Sequence, residues 1–116
     1  LTSVVKGRLL PELTAMDALK STLPAGTVSG APKIRAMRRI YELETEKRGV
    51  YAGAIGYLSA TGDMDFAIAI RTMILKNQTA YVQAGAGIVY DSIAQNEYQE
   101  TINKAKSMTR IGELRP

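Results

Sequence analysis

Apolar residues recur at helical spacing in three stretches of the chain and alternate more closely between them. In LTAMDALKSTL, Leu13, Met16, Leu19 and Leu23 fall at that spacing and predict a helix. A second helix is expected to open near Pro32, with Ser29 as its N-cap, and to run to about residue 47. Ile34, Met37, Tyr41 and Leu43 or Glu44 trace its inner face, and Gly49 ends it. A last helix is predicted over 94–109, with Tyr98, Ile102, Ala105 and Met108 or Thr109 as its apolar face. The opening LTSVVKGRL reads as a strand from its β-branched residues and closing glycine. Three further strands are expected near 52–59, 64–76 and 79–84, joined by a TGD turn and a short NQ hairpin link. Sequential hairpins beside helices define an α+β fold, a mainly antiparallel sheet with flanking helices.

The chain has 116 residues, the length of one compact domain, and 46% of them are hydrophobic. No window is long and apolar enough for a membrane span, and the first residues lack a secretory h-region. Cysteine and histidine are both absent. Disulfides, thiolate or imidazole metal sites and a Ser-His-Asp site are therefore excluded. A metal here would need oxygen ligands and so would be a hard cation such as magnesium. The missing cysteine suits a reducing cytoplasm. The net charge is +4. Much of the positive charge lies in KIRAMRRIYELETEKR, interleaved with Glu42, Glu44 and Glu46, as on a solvated helix face.

Three features carry candidate chemistry. In a continuous strand over 64–76, Arg71 shares a face with Ala67, Ala69, Met73 and Leu75, while the other face is also apolar. Arg71 is thus expected to point into a partly buried space, where it needs an anion. An ion pair with Asp63, Asp65 or an acid elsewhere meets that need, and so does a substrate carboxylate held by the guanidinium fork. On the last helix, Glu97, Glu100, Thr101 and Lys104 share one stripe. Spacing alone favours a solvent-facing stripe with a Glu100–Lys104 pair; the alternative is a cation site with Lys104 balancing the charge. In QAGAG, residues 83–87, the glycines suit either a tight bend or a backbone bared to an anion. In PAGTVSGAPK a loop meets a helix start, so Thr27, Ser29 or Lys33 could meet an anion, although the phosphate-loop pattern is absent.

The stretches PAGTVSGAPKIRAM, YAGAIGY, AIAIRT, QAGAGIVYDS and EYQETINKA follow one another in this order. Together they resemble the C-terminal part of the anthranilate synthase component I family, one of the chorismate-utilising enzymes. The resemblance covers about residues 1–110. It implies conversion of chorismate and ammonia to anthranilate and pyruvate with magnesium. The ammonia would come from a glutamine amidotransferase partner, component II. It also implies that Tyr51 and Arg71 bind the pyruvyl-ether side of chorismate, and that Gly85, Ala86 and Gly87 offer it backbone N–H groups. Glu100 would be a magnesium ligand, with Glu97 and Lys104 lining the site and Thr27 near the ring. PAGT favours anthranilate synthase over para-aminobenzoate synthase, whose pattern is closer to PGGS.

Two departures bear on this. Family members carry a histidine just before the L-x-S segment and a further magnesium-binding glutamate upstream, and this sequence has neither. The tryptophan-binding feedback region of the family is absent too. The expectation is a fragment of the enzyme, without useful turnover alone. The competing readings are a non-catalytic folded subdomain and, from the +4 charge, a nucleic-acid binder. The latter is disfavoured by the lack of a stacking aromatic motif and by a single Phe.

Overall fold

A computed structural model describes residues 2–110, arranged as four helices and four strands. Helix α1, Ala15–Thr22, starts where the sequence offers a reciprocal cap. Thr14 accepts from the Asp17 amide, and the Asp17 carboxylate accepts from the Thr14 amide at 2.9 Å. A short turn of helix, α2, Gly26–Ser29, lies inside the segment expected to be loop. Helix α3 spans Lys33–Leu43 with Pro32 at its N-cap. Ser29 is not that cap: it is buried, and its hydroxyl donates to the Ala25 carbonyl. The helix also stops four residues short of the expected 47.

The two sheets are separate antiparallel pairs, β1 (Ala54–Leu58) with β2 (Met64–Ile68), and β3 (Met73–Lys76) with β4 (Thr79–Val82). Asn77 and Gln78 both take left-handed backbone angles, as a two-residue hairpin turn matched to strand twist requires. At Gly56, opposite Phe66, the strands approach so closely that a Cβ would sit 2.0 Å from the Asp65 carbonyl oxygen. Helix α4, Ala94–Thr109, has the predicted bounds and packs against β4. The α+β class and the antiparallel pairing are as expected.

Three further expectations fail. Residues 2–10 form neither helix nor strand and are exposed, so the opening β-branched run pairs with nothing among the described residues. The strand over 64–76 is cut in two. Past Ile68 the pairing continues only through Ala52 and Ala69, whose amide donates to Gly53 at 2.9 Å. The chain then turns at Arg71, which has φ +53°. The apolar stripe of α3 is also open: Ile34 is 73% exposed and Tyr41 87%.

The buried core is correspondingly small. Among the described residues only Ala69, Met108 and Ser29 are buried. The accessible surface is 10278 Å², against about 6,200 Å² for a folded monomer of this mass. The radius of gyration is 17.0 Å, against about 13 Å for a compact domain of this length. The 46% hydrophobic content thus supplies faces that the described residues leave uncovered. No helix of the described residues is long and apolar enough to cross a membrane.

Candidate active site

Helix α4 turns part of its polar stripe inward. Glu97, Thr101 and Lys104 are half-buried and Met108 is buried, while Tyr98, expected on the inner face, is 61% exposed. Three members of the stripe that spacing alone assigns to solvent are therefore partly covered, while the fourth, Glu100, is exposed. Ile102 and Ala105, also half-buried, supply apolar contact beside it.

The inward stripe meets the segment that follows β4. The Lys104 ammonium donates to the Gly85 carbonyl at 3.0 Å and also pairs with the Glu100 carboxylate one turn earlier. Tyr51 also stands close to Gly85. A Cβ at position 85 would lie 2.9 Å from the Tyr51 hydroxyl oxygen, so glycine is what allows the hydroxyl to come that close. The amides of Gly85, Ala86 and Gly87 have no acceptor among the described residues. They remain available to an anionic ligand.

Tyr51 is itself held. The Arg48 guanidinium lies over its ring, 5.5 Å from the centroid. Arg48 also donates to both oxygens of Glu44 and, through Nη1, to the Val28 carbonyl at 2.7 Å. The hydrogen bonds from Arg48, then its charge, hold the Glu44 carboxyl below its ordinary value against the opposing effect of burial. The same bonds raise the guanidinium's pKa. Two open clefts, of about 700 and 610 Å³, share Arg48 and Tyr51 as lining residues. Neither is lined by Gly85, Glu100 or Lys104, so these groups gather beside the clefts and not inside them.

The sequence-predicted residues fall into two groups. Tyr51, Gly85, Lys104 and Glu100 converge. Arg71 and Thr27 do not join them through any recorded contact. Arg71 was expected to be partly buried on a strand face. It is exposed instead, because the strand ends before it and the backbone there is left-handed. It forms no ion pair with Asp63 or Asp65; Asp63 accepts from the Thr61 hydroxyl. Thr27 is exposed on α2. The Glu44–Arg48 pair was missed by the sequence reasoning; its i, i+4 spacing was visible, but its link to Val28 spans 20 residues.

For a metal, the oxygen donors on α4 are Glu97 and Glu100. Glu97 is half-buried, with no side-chain partner among the described residues, and the Glu100 side chain is 51% exposed. No group of three or more acidic residues converges among the described residues. Two carboxylates on one helical face fit magnesium, which commonly takes one or two protein carboxylates and completes its shell with water and ligand oxygen.

This chain belongs to the chorismate binding enzyme family, whose pattern matches residues 1–110. Particular members resemble it closely. It is 66% identical over 113 residues to anthranilate synthase component 1 of Lactococcus lactis subsp. lactis, covering 97% of this chain and 25% of that one. Against the component 1 of Pseudomonas aeruginosa it is 60% identical over 110 residues, covering 95% of this chain and 22% of the relative. Against that of Aquifex aeolicus it is 54% identical over 114 residues, covering 98% and 23%. The chain spans about a quarter of the length of these relatives.

Proposed function

We propose that these residues are the C-terminal part of the chorismate-converting subunit of an anthranilate synthase. In that reaction chorismate and ammonia give anthranilate, pyruvate and water, a step towards tryptophan. The observation that carries this is the convergence of Tyr51, Gly85 and the Lys104–Glu100 pair at one point, with three unspent backbone amides beside it. It agrees with the names of the relatives and with the PAGT segment at 24–27.

Each group has a physical role. The amides at 85–87 donate to a substrate carboxylate, and charge-assisted bonds of that kind contribute about 1.5–3 kcal/mol each. Lys104 fixes the Gly85 carbonyl, and so the direction of those amides, while balancing the acidic residues of α4. Tyr51 presents its hydroxyl to the pyruvyl-ether side. Glu97 and Glu100 would hold magnesium, which supplies Lewis-acid and templating chemistry when bound. Arg71 clamps the ether-side carboxylate and Thr27 stands near the ring. Both are exposed here, so their roles require further protein surface to close over them. The small core agrees with a segment completed by other parts of the enzyme. The partner is a glutamine amidotransferase that delivers ammonia, and a cytoplasmic setting suits a chain without cysteine.

The test is anthranilate fluorescence on mixing chorismate, magnesium chloride and ammonium chloride with two samples. The full-length protein is expected to form anthranilate, and the isolated 116 residues to form none. Formation of para-aminobenzoate, or no aromatic product from the full-length protein, would refute the assignment.

A further inference from the structure

Arg48 links three parts of the chain: the end of α3, the α2 turn and the Tyr51 turn. Its Nε donates to both Glu44 oxygens, at 3.1 and 2.8 Å, which anchors it to the residue capping the C-terminus of α3. Its Nη1 donates to the carbonyl of Val28, the residue after Thr27, at 2.7 Å. Its guanidinium plane carbon stands 5.5 Å from the centre of the Tyr51 ring. Its own carbonyl accepts from the Tyr51 amide at 3.0 Å, closing the turn that aims the ring. The side chain is 23% exposed, the lowest among the four ion-paired cations of the described residues.

We propose that Arg48 is a positioning residue that sets the distance between the Thr27 turn and the Tyr51 hydroxyl, and so shapes the pocket for a carboxylated ring substrate. Arginine is required because the job needs a planar group with several donors. One edge grips a carboxylate, another donor reaches a carbonyl, and the face lies on an aromatic ring. Lysine offers one point charge and cannot satisfy all three. Glu44 completes the device: its carboxylate, kept ionised by Arg48, holds the guanidinium in place. Displacement of substrate-positioning groups by about 1 Å is enough to cost about a hundredfold in rate.

The proposal rests on the chorismate reading, and the test separates the two. In the full-length protein, steady-state kinetics with chorismate, magnesium chloride and ammonium chloride would compare wild type, Arg48→Met, Arg48→Lys and Tyr51→Ala. Arg48→Met should raise KM for chorismate at least fivefold, and Arg48→Lys should recover part of that. A loss of folded protein alone would lower the apparent kcat and leave KM where it was. In a Tyr51→Ala background, Arg48→Met should raise KM no further, since its target is gone. A KM within twofold of wild type, or full additivity of the two substitutions, would overturn the proposal. A second arm needs no turnover. With 3-fluorotyrosine at position 51, the fluorine resonance should move on Arg48→Met as the cation leaves the ring. Absence of turnover in wild type overturns the substrate reading, and an unmoved resonance overturns the role of Arg48.

Discussion

The Lys104 ammonium reaches the Gly85 carbonyl across 3.0 Å and 19 residues of sequence, tying the last helix to the bend that follows β4. That bond orients the peptide whose neighbouring amides are unspent, so a change at Lys104 acts on the backbone as well as on charge. Lys104→Met in the full-length protein should weaken chorismate binding roughly ten- to hundredfold, from the loss of about 1.5–3 kcal/mol in a charge-assisted bond. Calorimetric titration would read it. An affinity within twofold of wild type would mean that the ammonium does not organise the bend.

Gly85→Ala places a methyl group 2.9 Å from the Tyr51 hydroxyl oxygen, while the next ring atom, Cζ, is 3.9 Å away. The conflict is with one atom, and Tyr51→Phe removes it. Gly85→Ala alone should destabilise the full-length protein by about 1–3 kcal/mol, the usual range for overpacking. In the Tyr51→Phe background the same change should cost less by about 1 kcal/mol. Urea midpoints of the four proteins would give the coupling. Equal costs in both backgrounds would place the hydroxyl elsewhere.

Some local signals decide local structure outright, while others, such as the β-branched run at 2–10 and Ser29 as a cap, do not. The bounds of α4, the NQ turn and the antiparallel pairing all follow from periodicity and turn chemistry. The orientation of faces was not legible in the same way. On α4 the apolar Ile102, Ala105 and Met108 and the polar Glu97, Thr101 and Lys104 are covered together, which spacing alone does not reveal, and the stripe of α3 is largely open. Arg71 was misplaced because AIAIRTMILK has no glycine, proline or asparagine to mark the break after Ile68. Arg48 was overlooked because its function depends on Val28 and Tyr51, and only the pair with Glu44 is local.

Gly56 gives a sharp stability test. A Cβ there would meet the Asp65 carbonyl oxygen at 2.0 Å and the Phe66 Cα at 2.7 Å, both backbone atoms of the paired strand. Neither rotates away, so β1 and β2 would have to separate. Gly56→Ala should cost about 3 kcal/mol, at the upper end for added volume. Gly7→Ala, where nothing lies within 4 Å of the new methyl, should change stability by less than about 0.5 kcal/mol. Equal urea midpoints for the two variants would contradict the close approach at Gly56.

The Glu44–Arg48 pair also predicts a pH dependence whose sign is fixed. Hydrogen bonds from Arg48 and then its charge hold the Glu44 carboxyl below its ordinary value of 4.5. A depressed carboxyl favours the folded state above the unfolded pKa, and that contribution is lost as pH falls through the folded pKa. Arg48, raised from an already high value, stays charged throughout and adds no slope of its own. Wild type should therefore lose stability more steeply than Glu44→Gln between about pH 5 and pH 3. The difference should stay under about 1 kcal/mol, because the Glu44 side chain is 36% exposed and solvent screens the pair. Asp17, lowered by its bonds with Thr14, contributes a slope of the same sign in the same window. Asp17→Asn therefore serves as the comparison, and Glu44→Gln in that background should flatten the curve further. Urea midpoints across the acid range would measure it, and parallel curves for wild type and Glu44→Gln would show that the pair carries no linkage.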